Sequence, residues 1–297
     1  MIAAPSATIK GKCHTEERCM KPIAQTQIQA FAHALLQNEK SAATQEKYIR
    51  AVEKLSVFLG GKDVTKAGVL EYRTFLLERL SAQTVNGYLS AVNAFLEFCG
   101  CPENRVKLLK VQRRLFLDET RELSRQEYAR LLETARKREK ERLYLLLLTL
   151  CGTGIRVGEL RFVTVEAARR GRAEIRLKNK TRVILLQKKL RQRLLAYARA
   201  QKIRSGPVFR TKSGQNLDRS NVCHEMKALC EEARVDRRKV FPHNLRHLFA
   251  RTFYALEKNL AYLADLLGHS RLETTRIYVA ISAASHERVL ERMHLVI

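Results

Sequence analysis

The chain has 297 residues, with 56 Lys and Arg against 30 Asp and Glu, a formal net charge of +26. Hydrophobic residues make up 45% and charged residues 29%, a globular composition that excludes wholesale disorder. The length favours two domains over one. The longest apolar run, residues 143–151, is far shorter than the roughly 20 residues of a membrane-spanning helix, so no bilayer span is predicted.

The positive charge is concentrated in the C-terminal part of the chain. Residues 1–120 carry 17 Lys and Arg against 12 Asp and Glu, which leaves 39 against 18 for residues 121–297. Between positions 169 and 210 there are 15 basic residues and one acid, Glu174. An excess of this size over a whole domain points to a polyanionic partner, and nucleic acid is the commonest polyanion in a cytosol.

The N-terminus lacks the apolar core of a secretory signal, because Ile9 and Ile23 stand apart among polar residues. The seven cysteines are an odd number and widely scattered, which favours reduced thiols over a disulfide framework. Cys13, His14 and Cys19 have no second pair of ligands nearby and are interpreted as tail residues rather than half of a metal site. A cytoplasmic protein without a bound metal is predicted.

Four short amphipathic helices are predicted in the N-terminal part. Apolar side chains recur at helical spacing over residues 27–39, 44–59, 69–80 and 84–98. Gly60 and the glycine after it end the second pattern, as glycine commonly does beyond a helix. One apolar stripe on each helix predicts a small helical domain whose core those stripes form.

A weakly periodic stretch, residues 101–122, is interpreted as a connection to a second domain. Ser124 and Glu127 then form a capping box that starts a helix running to about residue 137. A further apolar helix is predicted over residues 141–151, stopping at the glycines that follow.

A β-hairpin is predicted over residues 173–186, where the hydrophobic pattern changes to alternation. Ile175 and Leu177, then Val183 and Leu185, flank the charged turn Lys178-Asn179-Lys180-Thr181. Helices return after residue 187.

Several features between residues 150 and 280 could carry chemistry, although each is ambiguous by itself. Arg156 follows a glycine-broken helix end, and Glu159 lies three residues on, at the spacing of a local ion pair. The hairpin turn contributes Lys178 and Lys180, which on their own would be ordinary solvated lysines.

The remaining features lie near the C-terminal end. Pro242 favours the first turn of a helix, so His243 and Arg246 project together from a helix N-terminus, where free amides favour phosphate. A glycine ends another helix just before His269, and Tyr278 follows nine residues later.

Together, in this order and spacing, these features resemble the tyrosine recombinase family of phage integrases, Xer-type resolvases and transposon recombinases. The segments that carry the resemblance are TGIRVGEL at 153–160, IRLKNKTRVILL at 175–186, HNLRH at 243–247, LLGHS at 266–270 and TTRIY at 274–278. The helices at 44–58 and 84–95 also resemble the family's core-binding domain, so the resemblance runs from about residue 25 to the end.

The resemblance implies a mainly α protein with a small β-hairpin in its C-terminal domain, an α+β chain of two-domain tyrosine recombinase architecture. An N-terminal tail, residues 1–24, would precede a four-helix, SAM-like core-binding domain that binds DNA, residues 25–105. A linker, residues 106–122, would lead to a catalytic domain, residues 123–297, that ends in a tail helix.

The resemblance also implies a mechanism in which a tyrosine oxygen attacks a DNA phosphodiester and forms a 3′-phosphotyrosyl enzyme. Tyr278 would be the nucleophile. Arg156 and Arg246 would clamp the nonbridging oxygens with their charged, planar forks. A free phenol with a pKa of about 10 is mostly protonated at neutral pH, so His243 would serve as general base. The bond energy stays in the covalent link, so neither a nucleotide cofactor nor a metal is expected.

The same resemblance gives roles to four further positions. His269 would hydrogen-bond the scissile phosphate, and Glu159 would support the surroundings of Arg156. The family protonates the leaving 5′-oxygen with a hairpin lysine. Lys178 and Lys180 stand one residue closer than the family's usual pair; Lys178 is preferred for this role and Lys180 stays open, with Lys180 and Arg182 expected to contact DNA. His247 is interpreted as a structural contact.

Double-stranded DNA carrying specific recombination sites is the implied partner, and the expected biological role is integration or excision of a mobile element through a Holliday junction. The family precedent predicts a tetramer on two DNA sites, with the last helix, residues 285–297, exchanged between protomers. Two alternatives remain, namely a non-cleaving DNA-binding regulator on the same scaffold and a type IB-like topoisomerase. The target sequence and any accessory proteins do not follow from the chain alone.

Overall fold

The computed structural model describes residues 21–111, 119–177, 180–211, 213–269, 271–276, 278 and 292. The chain divides into two compact units, Met1–Arg113 and Arg114–Ile297. None of the helices within these described ranges combines the length and the apolar character needed to cross a bilayer.

The described part of the first unit is helical. Its elements are α1 (Gln25–Gln37), α2 (Ala42–Leu59), α3 (Lys66–Leu77), α4 (Ala82–Phe98) and a single 3₁₀ turn (Pro102–Asn104). The apolar stripes meet in one core, in which Phe31 of α1 lies edge-on to Phe95 of α4 with ring centroids 5.3 Å apart. The predicted helical domain therefore has the predicted core.

All four helices begin two or three residues earlier than the apolar pattern predicts, and three of them follow a hydroxyl residue that caps the helix. Ser41, Thr65 and Ser81 precede α2, α3 and α4, and each side-chain oxygen accepts a hydrogen bond from a backbone N–H of the first turn. Such capping satisfies amides that have no partner inside the helix, and so moves the start to the hydroxyl residue. The predicted stop after α2 is confirmed, because Gly60 has the left-handed conformation with φ of 57°.

The second unit adds helices around a central apolar one. Its helices are α5 (Arg125–Lys137), α6 (Glu141–Thr153), α7 (Val165–Arg170), α8 (Lys188–Ala200), α9 (Arg219–Lys227), α10 (Pro242–Glu257), α11 (Leu260–Leu267) and α12 (Leu272–Arg276), with 3₁₀ turns at Glu119–Arg121 and Val157–Phe162. The predicted capping box at α5 is confirmed, with Ser124 and Glu127 satisfying each other's backbone N–H groups. Helix α6 packs against α5, α8 and α10, and most of its side chains are buried. It continues two residues beyond the predicted end, as far as Thr153.

The predicted hairpin is formed by β1 (Arg172–Leu177) and β2 (Lys180–Leu185), which pair antiparallel. The core face of β2 differs from the prediction, because Ile184 is buried whereas Val183 and Leu185 are exposed. The register pairs Ile175 with Arg182, so Arg182 shares the inner face of the sheet. Apolar residues occupy both faces of β2, and their alternation alone could not say which face turns inward.

Both ends of the predicted linker are attached to their own unit. On the first unit, the side chain of Asn93 exchanges two hydrogen bonds with the backbone of Val106. On the second unit, Asn244 of α10 donates to the carbonyl of Arg121 at 2.9 Å. The residues between, 112–118, lie outside the described part of the chain.

Candidate active site

Glu159 is a buried carboxylate that holds two arginines. It lies in the 3₁₀ turn Val157–Phe162, and its side chain is 3% exposed. One oxygen accepts from Arg156 Nη1 at 3.1 Å, and the other accepts from the Arg156 backbone N–H at 2.8 Å. The second oxygen also accepts from Arg182 Nη2 at 2.5 Å. These hydrogen bonds fix the turn of the chain at Arg156, whose side chain is 44% exposed.

Arg182 lies inside the fold instead of on the outer face of the hairpin, where a DNA contact was expected. Its side chain is 14% exposed, and Nη1 donates to the carbonyl of Leu266 at 2.8 Å. Burial lowers the pKa of Arg182, while the charge of Glu159 raises it in part. Its terminal nitrogens donate to Glu159 and Leu266, so Arg182 joins β2 to the end of α11, while its buried Nε has no hydrogen-bond partner among the described residues.

Arg246 is the most deeply buried charged group of the site, with 1% of its surface exposed. It lies near the N-terminus of α10, as predicted. Nη1 donates to the carbonyl of Gly154, and Nη2 donates to the carbonyl of Leu267 at 2.7 Å. Burial and the nearby charge of Arg156 lower its pKa to about 10, while a hydrogen bond with Tyr278 acts in the opposite direction. The guanidinium stays charged at neutral pH and ties α10 to the ends of α6 and α11.

The approach of Arg246 depends on the shape of the chain at Gly154. This residue ends α6 in the left-handed conformation, with φ of 62°. An added Cβ would lie 2.5 Å from the ring of Phe249 and 3.1 Å from Leu267. Glycine at this position therefore permits both the turn and the close packing that brings its carbonyl to Arg246.

His269 directly follows Gly268, the residue that ends α11. Its Nε2 lies 2.9 Å from Arg246 Nη2, and its Nδ1 lies 2.9 Å from the hydroxyl of Thr275. An arginine can only donate, so Nε2 is the acceptor and Nδ1 carries the hydrogen. In this arrangement His269 orients Arg246; donation from Nε2 to a phosphate would require this hydrogen bond to be exchanged.

Tyr278 is enclosed by three imidazole rings. Its ring centroid lies 5.5 Å from that of His269, 5.8 Å from that of His243 and 4.7 Å from that of His247. The residue is 4% exposed and also belongs to a small apolar cluster with Leu263 and Leu267. The fold thus brings together four of the predicted residues, namely His243, Arg246, His269 and Tyr278.

His243 and His269 are both held in the neutral form at ordinary pH. For His243, loss of solvation is the largest cause, and the charges of His247 and Arg246 add to it, lowering its pKa to about 4. His269 is lowered to about 4 by burial and by Arg246 and Arg156. The neutral imidazole of His269 accepts the hydrogen bond from Arg246, and the neutral imidazole of His243 has a lone pair that can accept a proton.

Some predicted features fall outside the described residues. Lys178 lies in the undescribed turn of the hairpin, and for Lys180 only the backbone is described, as the first residue of β2. The predicted tail helix at 285–297 is likewise outside, apart from Arg292. Within the described ranges, no group of three His, Cys, Asp or Glu side chains is placed to hold a metal ion.

The structure adds site residues that the sequence pattern does not single out. Glu122, placed in the predicted linker, accepts from His247 Nδ1 at 3.0 Å. Thr275, which is fully buried, holds the ring of His269. No local sequence pattern predicted either residue, because each hydrogen-bonds to a side chain from a distant part of the chain or from another element.

Comparison with known proteins places this geometry in a family. Residues 121–285 match the Phage integrase family. Tyrosine recombinase XerA of Pyrococcus furiosus is 29% identical over 224 residues, which cover 72% of this chain and 76% of that protein. The chain therefore belongs to the phage integrase family and is a tyrosine-type site-specific recombinase.

Solved structures have the same fold. The XerH site-specific recombinase bound to palindromic difH substrate, a post-cleavage complex, has a TM-score of 0.71 at 18% identity and covers 90% of this chain and 84% of its own. The Tn1549 transposon integrase in complex with transposon right end DNA has a TM-score of 0.64 at 16% identity, covering 91% and 99%. The predicted fold class, mainly helical with a small hairpin and two-domain tyrosine recombinase architecture, is confirmed.

Proposed function

We propose that this chain cuts and rejoins DNA strands at specific sites through a 3′-phosphotyrosyl intermediate on Tyr278. The observation that carries the proposal is the position of Tyr278, whose ring packs against His243 and His269 and which interacts with the buried Arg246 strongly enough to raise the pKa of that guanidinium in part. A nucleophile, a neutral base and a fixed cation therefore occupy one site.

Arg156 and Arg246 are proposed to stabilise the charge that develops on the nonbridging oxygens. Arg156 has an exposed head group, held at its base by Glu159. Arg246 keeps Nε buried without a hydrogen-bond partner among the described residues, a donor that a bound phosphate oxygen would satisfy. Charge-assisted hydrogen bonds of this kind contribute about 1.5 to 3 kcal/mol each, and more when aimed at transition-state charge.

The proposed proton transfer from Tyr278 depends on the neutral form of His243. The Tyr278 oxygen attacks phosphorus, its proton passes to His243, and the bond from phosphorus to the 5′-oxygen breaks. His243 is unprotonated at neutral pH, because its pKa is lowered to about 4, so it has a lone pair that can take the phenol proton. Attack by the 5′-hydroxyl of a partner strand then reverses the step. The phosphodiester energy remains in the tyrosyl link, so the reaction needs no nucleotide cofactor.

A hairpin lysine is proposed to protonate the leaving 5′-oxygen. Lys178 is the first candidate and Lys180 the second, since both flank the end of the hairpin. A DNA substrate with sulfur in place of the bridging 5′-oxygen needs no proton on its leaving group. Lys178→Met should therefore cleave that substrate at the rate of the unmodified protein while cleaving normal DNA slowly. Loss of activity in Lys180→Met alone would move the role to Lys180.

Double-stranded DNA is the proposed partner, with residues 25–105 as core-binding domain, 106–122 as linker and 123–297 as catalytic domain. The excess of basic residues over residues 121–297 supports phosphate binding by the second unit. Exposed lysines and arginines at the start of α8, such as Lys188 and Lys189, are available for such contacts. Related structures were determined on a difH substrate and on transposon DNA.

Integration or excision of a mobile element through a Holliday junction is the proposed biological role, with a tetramer on two DNA sites and the last helix exchanged between protomers. Removal of residues 285–297 should then abolish the assembly that joins two DNA sites while single-site binding persists. The mass of the protein–DNA complex, measured by light scattering, separates these outcomes.

The test of the proposed function uses nicked duplexes tiled across the DNA that flanks the gene for this chain. A covalent protein–DNA band should form without added metal and disappear in Tyr278→Phe. Tyr262→Phe is the matched control, because Tyr262 is an exposed tyrosine of the same unit and lies on α11. Specific binding without any covalent band would support the non-cleaving alternative, and relaxation of supercoils without strand exchange would support the topoisomerase alternative. A band that persists in Tyr278→Phe would overturn the assignment.

A further inference from the structure

His247 connects Tyr278 to a buried carboxylate. It lies one turn after His243 on α10, and its side chain is 16% exposed. On one side its ring meets the ring of Tyr278 edge to face, with 4.7 Å between centroids and 80° between planes. On the other side its Nδ1 lies 3.0 Å from Oε1 of Glu122.

The hydrogen bond to Glu122 fixes both the tautomer and the plane of the His247 ring. A carboxylate can only accept, so Nδ1 carries the hydrogen. The Glu122 side chain is 11% exposed, and its second oxygen forms an ion pair with Arg251 at 3.2 Å. Arg251 in turn donates to the carbonyl of Leu123 at 2.8 Å. Because Glu122 is itself paired with Arg251, and Arg251 is bonded to the backbone, the ring of His247 has little freedom to rotate away from Tyr278.

A residue that restricts the nucleophile has a direct effect on the reaction. Strand cleavage requires the tyrosine oxygen to lie in line with the bond that breaks, and misplacement by about 1 Å can cost on the order of 100-fold in rate. His243 and His269 also contact the ring, but each has another proposed role. His243 accepts the tyrosine proton, and His269 orients Arg246. His247 is fixed through Nδ1 by Glu122 and meets the ring of Tyr278 edge to face, so the role that its contacts support is to orient that ring.

We propose that His247, held by Glu122, is a positioning residue for the Tyr278 nucleophile. The proposal rests on the proposed function of Tyr278 and extends it to His247 on α10 and to Glu122, which lies in the segment before α5. The pair acts through Tyr278 and contacts no reacting atom itself.

The first test measures the single-turnover rate of covalent attachment to DNA at saturating protein. His247→Ala and Glu122→Ala should each lower this rate about 10- to 100-fold. Glu122→Gln should stay within about threefold of the unmodified protein, because the amide oxygen can accept the same hydrogen bond. The loss in His247→Ala should be the same at every pH, since a positioning residue transfers no proton. An unchanged rate, or a loss that varies with pH, would overturn the proposal.

The matched control is Lys239→Gln, which removes an ion pair of similar exposure in the same unit. Lys239 and Glu127 are 2.9 Å apart, with side chains 19% and 15% exposed, and neither touches Tyr278. This variant should cleave at the normal rate. An equal loss in Lys239→Gln would mean that cleavage follows the general stability of the unit and would overturn a specific role for His247.

A second test needs no activity, and so separates this inference from the proposed function. Nitration of tyrosines by tetranitromethane, mapped by mass spectrometry, reports the accessibility of each ring. Tyr278, which is 4% exposed, should be protected in the unmodified protein and become nitrated in His247→Ala and Glu122→Ala. Tyr144, 7% exposed, is the internal control and should stay protected in all of them. Continued protection of Tyr278 in both variants would overturn the inference even if the unmodified protein attaches to no DNA tested.

Discussion

The ring of Tyr278 lies almost parallel to that of His269, with 11° between the planes and 5.5 Å between the centroids. The same imidazole accepts a hydrogen bond from Arg246 through Nε2. One side chain, His269, therefore orients both Tyr278, the proposed nucleophile, and the buried Arg246, and the hydroxyl of Thr275 holds the His269 ring in place.

We predict that Thr275→Val lowers the cleavage rate by about tenfold without preventing folding. Valine keeps the volume but removes the oxygen that accepts from His269 Nδ1, at a cost of about 1 to 3 kcal/mol for a buried group left without its partner. The measurement is the single-turnover rate together with urea unfolding. Thr275→Ser keeps the hydroxyl and is the matched control; a similar rate loss in both variants would argue against the hydrogen bond.

Protonation of His243 and His269 should reduce stability at acid pH. Both pKa values are lowered from 6.5 to about 4 in the folded chain, so between these values the unfolded chain binds more protons. The free energy of unfolding should therefore fall as the pH is lowered from about 6.5 toward 4. The double variant His243→Gln, His269→Gln should show a flatter dependence over that window. NMR titration of the imidazole carbons checks the pKa values directly, and midpoints near 6.5 would contradict this prediction.

Removal of the Glu159 carboxylate should destabilise the second unit. Glu159→Ala leaves Arg182 buried without its counter-charge, and breaking a buried pair in this way costs about 3 kcal/mol or more. Urea unfolding measures the loss. The control is Glu46→Ala, which breaks an exposed pair with Arg50 at 2.6 Å and should change the free energy of unfolding by less than about 1 kcal/mol.

Substitution by lysine should have different effects at Arg156 and at Arg246. Arg156→Lys should reduce cleavage strongly with little change in stability, because the Arg156 head group is 44% exposed. Arg246→Lys should reduce both, because one ammonium cannot reach the carbonyls of Gly154 and Leu267 together with His269. A stability loss of about 1 to 3 kcal/mol is expected for Arg246→Lys. Equal unfolding curves for the two variants would contradict the difference in burial.

Gly154→Ala should destabilise the second unit by at least about 2 kcal/mol, since alanine is strained in the left-handed conformation and its Cβ would overlap Phe249. The displaced carbonyl should also weaken the hold on Arg246 and slow cleavage. Gly152→Ala is the matched control, because no atom lies within 4 Å of an added Cβ there and the residue is inside α6. That variant should be neutral or gain up to about 1 kcal/mol; a loss as large as that of Gly154→Ala would contradict the explanation.

Local pattern in the sequence was sufficient for most elements of the fold. Apolar spacing located α1 to α4, α6 and the hairpin, a capping box located α5, and Pro242 located the start of α10, because each of these signals depends on neighbours within a few positions. The missed starts of α2, α3 and α4 were also local, since Ser41, Thr65 and Ser81 are visible caps. The excess of positive charge was likewise evident from the sequence alone.

The order of the motifs predicted which residues belong to the candidate site. It did not predict which of those residues contact one another. Apolar residues occupy both faces of β2, so only packing within the second unit decided that Arg182 turns inward toward Glu159. The pairing of Glu122 with His247 joins positions 125 residues apart, far beyond the reach of any periodic pattern. Sequence determines which chemical groups are present and which helix or strand carries each. Tertiary structure decides which of them become buried together, because burial and hydrogen-bond geometry depend on elements that are distant along the chain.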